Sequence, residues 1–285
     1  MKNLAVIERG APPPAEIAEL DAAARRVDTP CGDGTMAWRI WGEGEPLVLG
    51  HGATGSWIHW VRNIPVLSES RMVIAADMPG HGDSALPETR DHAGISKALA
   101  EGLREILGNG SLPVDLIGFS FGGVAFSWLA KQYPEVARRL ILIGCGGLDT
   151  PHGEIRLGRV SGLEGEARWQ RMHDNLLGLM LHHSASVDDV ALWQMLDGAR
   201  ATRLDDAPKY VLPDKLLLAL ADVTCRVDAI WGEFDRPHAD PAVQEAALRR
   251  VKPDADFRVI EGAGHWAMFE RPEAVNAVLL EMLDG

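Results

Sequence analysis

Cysteine is scarce in this chain. Cys31, Cys145 and Cys225 are an odd number, widely spaced and without metal-like pairing. Disulfide frameworks and thiolate metal sites need paired cysteines, so the pattern argues against both and suits a reducing compartment. Long apolar runs are missing as well. The N-terminus has no apolar h-region and no stretch reaches about 18 apolar residues, so neither a signal peptide nor a membrane span is expected; the expected location is the cytoplasm. Basic charge is in deficit, with 28 Lys and Arg against 41 Asp and Glu and a formal net charge of −13. Phosphate backbones and anionic bilayers are held by clustered Lys and Arg, so neither nucleic acid nor membrane is an expected partner. The same balance tilts the expected small-molecule substrate toward a neutral compound. Glycine-rich phosphate loops are absent apart from one segment near residue 120, which argues against a nucleotide cofactor. His182-His183 has no carboxylate-rich company and adjacent residues diverge on a helix, so no metal, and no cofactor of any kind, is expected.

What is present is the length and rhythm of one catalytic domain. The chain has 285 residues and 30 glycines, which fits many short loops between strands and helices. The segments 25–29, 36–41, 46–50, 72–76, 114–117, 140–143, 227–231 and 257–260 read as strands. Helical spacing occupies 57–67, 95–107 and 124–133 between them. The alternation predicts an α/β class: a mostly parallel sheet of eight-stranded type with helices on both faces.

Residues 1–24 read as an N-terminal extension in which Pro12-Pro13-Pro14 starts a short helix at 15–26. It packs on the body or on a second subunit, which would make a homodimer. Residues 25–148 and 214–285 form the expected core. The rhythm changes at 149–213, where 169–182 and 187–199 carry helical spacing; an insertion of this kind at the catalytic edge is expected to act as a helical cap. Its Leu and Met residues supply apolar surface for a pocket or for packing within the cap.

The chemistry starts at Gly118-Phe119-Ser120-Phe121-Gly122-Gly123, between an apolar run and a helical stretch. A strand, a sharp turn and a helix in that order lift a serine oxygen clear of the sheet, which makes Ser120 the candidate nucleophile. A serine hydroxyl needs a base, and the base needs an acid to fix its tautomer. Asp235 follows the run 227–231 and His265 follows 257–260, in the chain order that such an elbow requires. Glu233, Asp240 and Asp149 are rivals for the acid. Parallel sheets gather their sites at the carboxyl ends of strands, so the three could meet at one edge. An oxyanion needs preorganised donors, and the backbone N–H groups of Phe121 and of Ala53, in the loop after 46–50, are assigned that role. His51 reads as a loop-ordering residue, and His81 and Asp83 as structural members of a turn.

These motifs together resemble the α/β-hydrolase fold family from about Trp38 to the C-terminus. Asp77-Met78-Pro79-Gly80-His81-Gly82-Asp83-Ser84 resembles the loop after that fold's fourth strand. Trp57-Ile58-His59-Trp60-Val61-Arg62-Asn63, Gly144-Cys145-Gly146-Gly147-Leu148 and Gly264-His265-Trp266-Ala267 are similar to hydrolases of meta-cleavage products, which cut a C–C bond in vinylogous 1,5-diketones during aromatic degradation. The departures lie in substrate recognition. That branch typically carries an Asn before the nucleophile, another Asn after the oxyanion glycines and an Arg in the lid helix. Here those places hold Phe119, His59 and Gln194, with Arg200 and Arg203 a short way on. His59, Phe119, Gln194 and Trp266 are therefore the substrate-binding candidates, Trp266 serving equally as core. An unpaired dienolate carboxylate in a dry pocket costs about 1–3 kcal/mol, so Phe119 favours a less polar substrate. The expected activity is hydrolysis of a small, largely apolar carboxylic ester by a serine esterase, the alternatives being C–C hydrolysis and a slow-turnover ligand-binding homologue.

Overall fold

A computed structural model describes residues 2–8, 10–204 and 207–285. Met1 and Arg9 of the N-terminal segment and Asp205 and Asp206 of the insertion lie outside them. Eight strands form one sheet: β1 (Arg25–Cys31), β2 (Gly34–Trp41), β3 (Glu45–Gly50), β4 (Arg71–Ala76), β5 (Val114–Phe119), β6 (Ala137–Ile143), β7 (Arg226–Gly232) and β8 (Phe257–Ile260). Their order is β1-β2-β4-β3-β5-β6-β7-β8. β1 and β2 pair antiparallel, as do β2 and β4, and every other pair is parallel.

Eleven α-helices accompany the sheet among the described residues: α1 (Ala15–Ala23), α2 (Ile64–Leu67), α3 (His92–Leu107), α4 (Phe121–Gln132), α5 (Gly165–Leu179), α6 (Asp189–Ala201), α7 (Ala207–Val211), α8 (Lys215–Leu220), α9 (Pro241–Arg249), α10 (Ala267–Glu270) and α11 (Pro272–Asp284). None is long and apolar enough to cross a membrane.

Both faces of the sheet are covered, which is why its central strands read as unbroken apolar runs. Side chains alternate between two cores. Leu116, Leu140 and Leu142 point into one, with Trp38, Phe126 and Trp231; Ile117, Ile141 and Ile143 point into the other, with Trp60, Trp266 and Phe269. That period of two is dictated by the pleat.

Several expected boundaries shift for local reasons. Asp91 starts α3 three residues earlier than the spacing predicts, its Oδ1 accepting the Gly94 N–H at 2.8 Å. The helix expected at 15–26 stops at Ala23, because Arg25 and Arg26 pair with Ile40 and Arg39 in the sheet. The expected helix at 57–67 breaks into a 3₁₀ turn at Trp57–Trp60 and the short α2. The expected 169–182 helix is Gly165–Leu179, and 180–183 is a turn that bears on the site below. α9 and α11, each with proline in its first turn, add to the expected set.

The N-terminal segment lies on the body. Val6, Ile7 and Ile17 are buried, and a 3₁₀ turn at Leu4–Ile7 packs on α5 and α6. Trp41 Nε1 donates to the Leu20 carbonyl at 2.9 Å and Trp193 Nε1 to that of Ala11 at 3.2 Å. Arg39 adds an ionic tie, reaching Asp21 of α1 at 2.5 Å, Asp77 at 3.1 Å and Asp83 at 3.0 Å.

Between β6 and β7 the chain leaves the sheet and carries α5 to α8. This insertion meets the carboxyl-end loops of four strands. Trp266 donates its N–H to the Met180 carbonyl, Arg203 to Gly80 and Leu217 to Gly147. At Gly198 in α6 the backbone comes so close to the loop after β3 that a Cβ would sit 1.9 Å from the Thr54 oxygen.

Candidate active site

The turn from β5 into α4 is strained at one residue. Ser120 has φ 50° and ψ −116°, a region that a residue with a Cβ adopts only when its surroundings enforce it. The enforcement is visible in the backbone. The Ser120 N–H is held by the Ile143 carbonyl at 2.8 Å. A Cβ on Gly118 would lie 2.3 Å from Cα of Gly123, and one on Gly122 would lie 2.5 Å from the Gly50 oxygen. Glycine at these places lets β3, β5 and α4 close around the serine.

His265 and Asp235 arrive from the loops after β8 and β7. His265 Nε2 stands 3.2 Å from Ser120 Oγ, and His265 Nδ1 stands 2.8 Å from Asp235 Oδ2. The two loops are stitched together, with Glu233 N–H donating to Ile260 and Phe234 N–H to Ala263. Asp235 and His265 are only 2% and 4% exposed. Burial alone would raise the Asp235 carboxyl, but the facing His265, with His238, overturns that and holds it well below the usual carboxylate range. The rival acids are engaged elsewhere. Glu233 accepts the Gly262 N–H at 2.8 Å, Asp240 caps α9 through the Ala242 N–H at 3.1 Å, and Asp149 is exposed.

The loop after β3 is fixed by two neutral imidazoles. His51 Nδ1 donates to the Gly52 carbonyl at 2.7 Å while Nε2 accepts the Met78 N–H at 2.8 Å. One donor and one acceptor define the uncharged ring, and complete burial agrees by lowering its pKa to about 4. His59 Nδ1 accepts the Gly52 N–H at 3.2 Å, and burial pushes this ring well below its ordinary value. The loop presses on the serine, since a Cβ on Gly52 would be 3.4 Å from the Ser120 Cβ. Ala53 follows in the same loop, half-buried. Phe121 is the first residue of α4, so its N–H has no intrahelical acceptor.

His59, Phe119, Gln194 and Trp266 form one buried cluster beside His265. Ring centroids lie 5.3 Å apart for His59 and Phe119, 4.9 Å for His59 and Trp266, and 4.9 Å for Phe119 and His265. Trp266 Nε1 donates to the His59 carbonyl at 2.8 Å and its ring stacks on Phe269, so it is a core residue at the wall of the site. Gln194, from α6, is buried in this cluster with its Nε2 without a partner among the described residues. His81 is buried with its Nδ1 3.2 Å from the Pro79 oxygen, and Asp83 pairs with Arg26 and Arg39. A cleft of about 950 Å³ beside the β1–β2 hairpin is lined by Asp83 but by none of Ser120, Asp235, His265, His59, Phe119, Gln194 or Trp266.

Two residues went unsingled by sequence reasoning. His238 is buried, gives its backbone N–H to Asp235 Oδ1 at 2.9 Å, and holds Nδ1 at 3.3 Å from the same oxygen, off the line of a hydrogen bond. Its only sequence signal is a histidine three residues past the acid. Asp235, His238 and His265 offer ligand-type atoms within 4.8 Å of one another, yet both Asp235 oxygens are already hydrogen-bonded within the protein. Glu270 is the second: its carboxylate accepts N–H groups from both the His265 loop and the insertion.

The sequence profile of the alpha/beta hydrolase family matches residues 47–278. A 2-hydroxy-6-oxo-6-phenylhexa-2,4-dienoate hydrolase of Burkholderia cepacia is 28% identical, the match covering 85% of this chain and 88% of that one. A dihydrolipoyllysine-residue acetyltransferase component of an acetoin cleaving system from Pseudomonas putida is 30% identical over 84% of this chain, which spans 64% of its length. Among solved structures, naproxen esterase (carboxylesterase NP) of Bacillus subtilis superposes with a TM-score of 0.72 at 19% identity, covering 94% of this chain and 95% of that one. At that identity the likeness concerns the fold.

Proposed function

The chain belongs to the alpha/beta hydrolase family, and we propose that within it this protein is a cofactor-independent serine esterase for small, largely apolar carboxylic esters. The observation that carries the proposal is the hydrogen-bonded line from Ser120 through His265 to Asp235, on a turn that holds the serine in a strained conformation.

His265 Nε2 takes the Ser120 proton as Oγ bonds to the ester carbonyl carbon. The carbonyl pair moves onto oxygen, and the N–H groups of Ala53 and Phe121 receive that oxyanion. Collapse breaks the C–O bond to the alcohol, which leaves with the proton from His265. Water then gives a proton to His265 and adds its oxygen to the acyl carbon; the second collapse frees the carboxylic acid and returns the proton to Ser120.

Phe119, packed against His265 and His59, supports an apolar acyl or alcohol group over a dienolate, because no amide precedes the nucleophile. The insertion at 149–213, which carries α5, α6 and α7, acts as the cap over the site. C–C hydrolysis of a meta-cleavage product is the second reading, favoured by the similarity to the Burkholderia cepacia enzyme and by the same three residues. The slow-turnover ligand-binding reading requires tight binding with negligible repeated turnover. A cytoplasmic location belongs to the same proposal and is supported by three free cysteines.

The test is turnover of p-nitrophenyl esters of graded chain length and of one ring-fission dienoate by wild type and Ser120→Ala. Ester turnover lost in the variant supports the esterase. Consumption of the dienoate alone, through a transient ketone, replaces it with C–C hydrolysis.

A further inference from the structure

Glu270 closes α10 and is 6% exposed, yet among the described residues no ion pair accounts for its burial. Its charge is met by backbone. Oε1 accepts the N–H groups of His182 at 3.0 Å and His183 at 2.7 Å; Oε2 accepts those of Gly264 at 2.7 Å and His182 at 2.9 Å. Gly264 immediately precedes His265, whereas His182 and His183 belong to the turn after α5, in the insertion. One carboxylate therefore fastens two segments that are about eighty residues apart in the chain, and bonds from N–H groups to a charged acceptor are roughly twice as strong as neutral ones.

The junction is built tightly around that clasp. The Trp266 N–H, on the far side of His265, donates to the Met180 carbonyl at 2.8 Å. A Cβ on Gly264 would lie 2.8 Å from the His182 nitrogen and 2.9 Å from the Met180 oxygen, so the two backbones touch directly. Arg271, next to Glu270, reaches Nε2 of His183 at 2.9 Å. His265 thus stands between Gly264, bonded to the carboxylate that holds this turn, and Trp266, bonded to the turn itself.

We propose that Glu270 is a positioning residue for His265: its carboxylate holds the His265 loop and the 180–183 turn as one unit, so that the seating of the insertion sets the distance from His265 to Ser120. The inference rests on the serine-hydrolase reading above. It makes this end of the insertion a fixed anchor, and any opening of the insertion has to take place toward α6, α7 and α8.

Glu270→Gln keeps the size and replaces one acceptor oxygen by an NH₂ that faces N–H donors. Kinetics with a p-nitrophenyl ester, well below the melting temperature, are expected to show kcat lowered by about 10²-fold, the scale of a displaced catalytic group, with KM near that of wild type. The rate of Ser120 labelling by a fluorophosphonate falls with it, and Glu270→Asp, which keeps the charge, recovers part of both. Wild-type kcat and labelling in Glu270→Gln, with only a lower melting temperature, would make Glu270 structural and overturn the proposal. In the wild-type protein, Gly264, His182 and His183 amides are expected to resist hydrogen exchange together; exchange at the pace of exposed loops would overturn it too. Ester turnover surviving in a parallel Ser120→Ala sample would instead sink the serine-hydrolase reading on which the proposal depends.

Discussion

Nδ1 of His265 lies 2.8 Å from Oδ2 of Asp235, in a site where both side chains are almost fully buried. The contact fixes Nδ1 as the protonated nitrogen and leaves Nε2 free for the role proposed for it, taking the Ser120 proton. Out of water, the carboxylate also favours the imidazolium that forms when it does so.

Asp235→Asn presents an amide to the same nitrogen and promotes the wrong tautomer. Steady-state ester hydrolysis is expected to fall by about 10⁴ in kcat with the fold intact. Glu233→Gln and Asp240→Asn, whose carboxylates serve the Gly262 N–H and the start of α9, are expected to stay near wild type.

His238→Val keeps the backbone N–H bond to Asp235 and removes the ring 3.3 Å from Oδ1. A roughly tenfold loss in kcat is expected, the scale of one contact to a charged group. His238→Asn, which keeps a polar side chain beside Oδ1, is expected to lose less. A fall as deep as that of Asp235→Asn would mean that His238 takes part in the chemistry itself.

Gly118→Ala drives a Cβ to 2.3 Å from Cα of Gly123, backbone against backbone. Neither strand nor helix can step aside, so urea unfolding is expected to register a loss of about 1–3 kcal/mol or more. Gly108→Ala has nothing within 4 Å of its new Cβ but meets a φ of +67°, and is expected to show strain alone.

Stability should depend on pH through histidines held neutral by burial or half-burial. Burial lowers His51 and His92 from 6.5 to about 4, and His81 to about 3. Below 6.5 the unfolded chain binds protons that the folded chain refuses, so their contribution is whole above 6.5 and is lost as pH falls toward 4 and 3. Asp77 and Asp197, whose carboxyls burial raises, oppose the trend near the carboxylate range. Urea midpoints are expected to fall from pH 7 to pH 5; a flat profile would mean that these rings charge freely in the folded protein.

Much of this architecture is legible in the residues themselves. Central strands covered on both faces must be apolar throughout, so 114–117 and 140–143 announce themselves. Ser120, Asp235 and His265 each follow a strand, and a parallel sheet brings its strand ends together. Asp240-Pro241 carries the cap and first-turn proline of α9, a signal available but unused. The seating of the N-terminal segment was illegible, because it rests on tryptophan bonds to distant carbonyls. Glu270 was illegible for the same reason: its partners are backbone groups at 182, 183 and 264, which no side-chain pattern encodes.

The most direct test of the central claim is to trap the acyl-enzyme. Wild-type protein is mixed with a p-nitrophenyl ester, quenched in acid within the first turnovers, digested and weighed by mass spectrometry. One acyl group is expected on the peptide that contains Ser120, with none in Ser120→Ala and accumulation in a variant that deacylates slowly. Rapid ester hydrolysis with no acyl group at Ser120, or full turnover in Ser120→Ala, would contradict it.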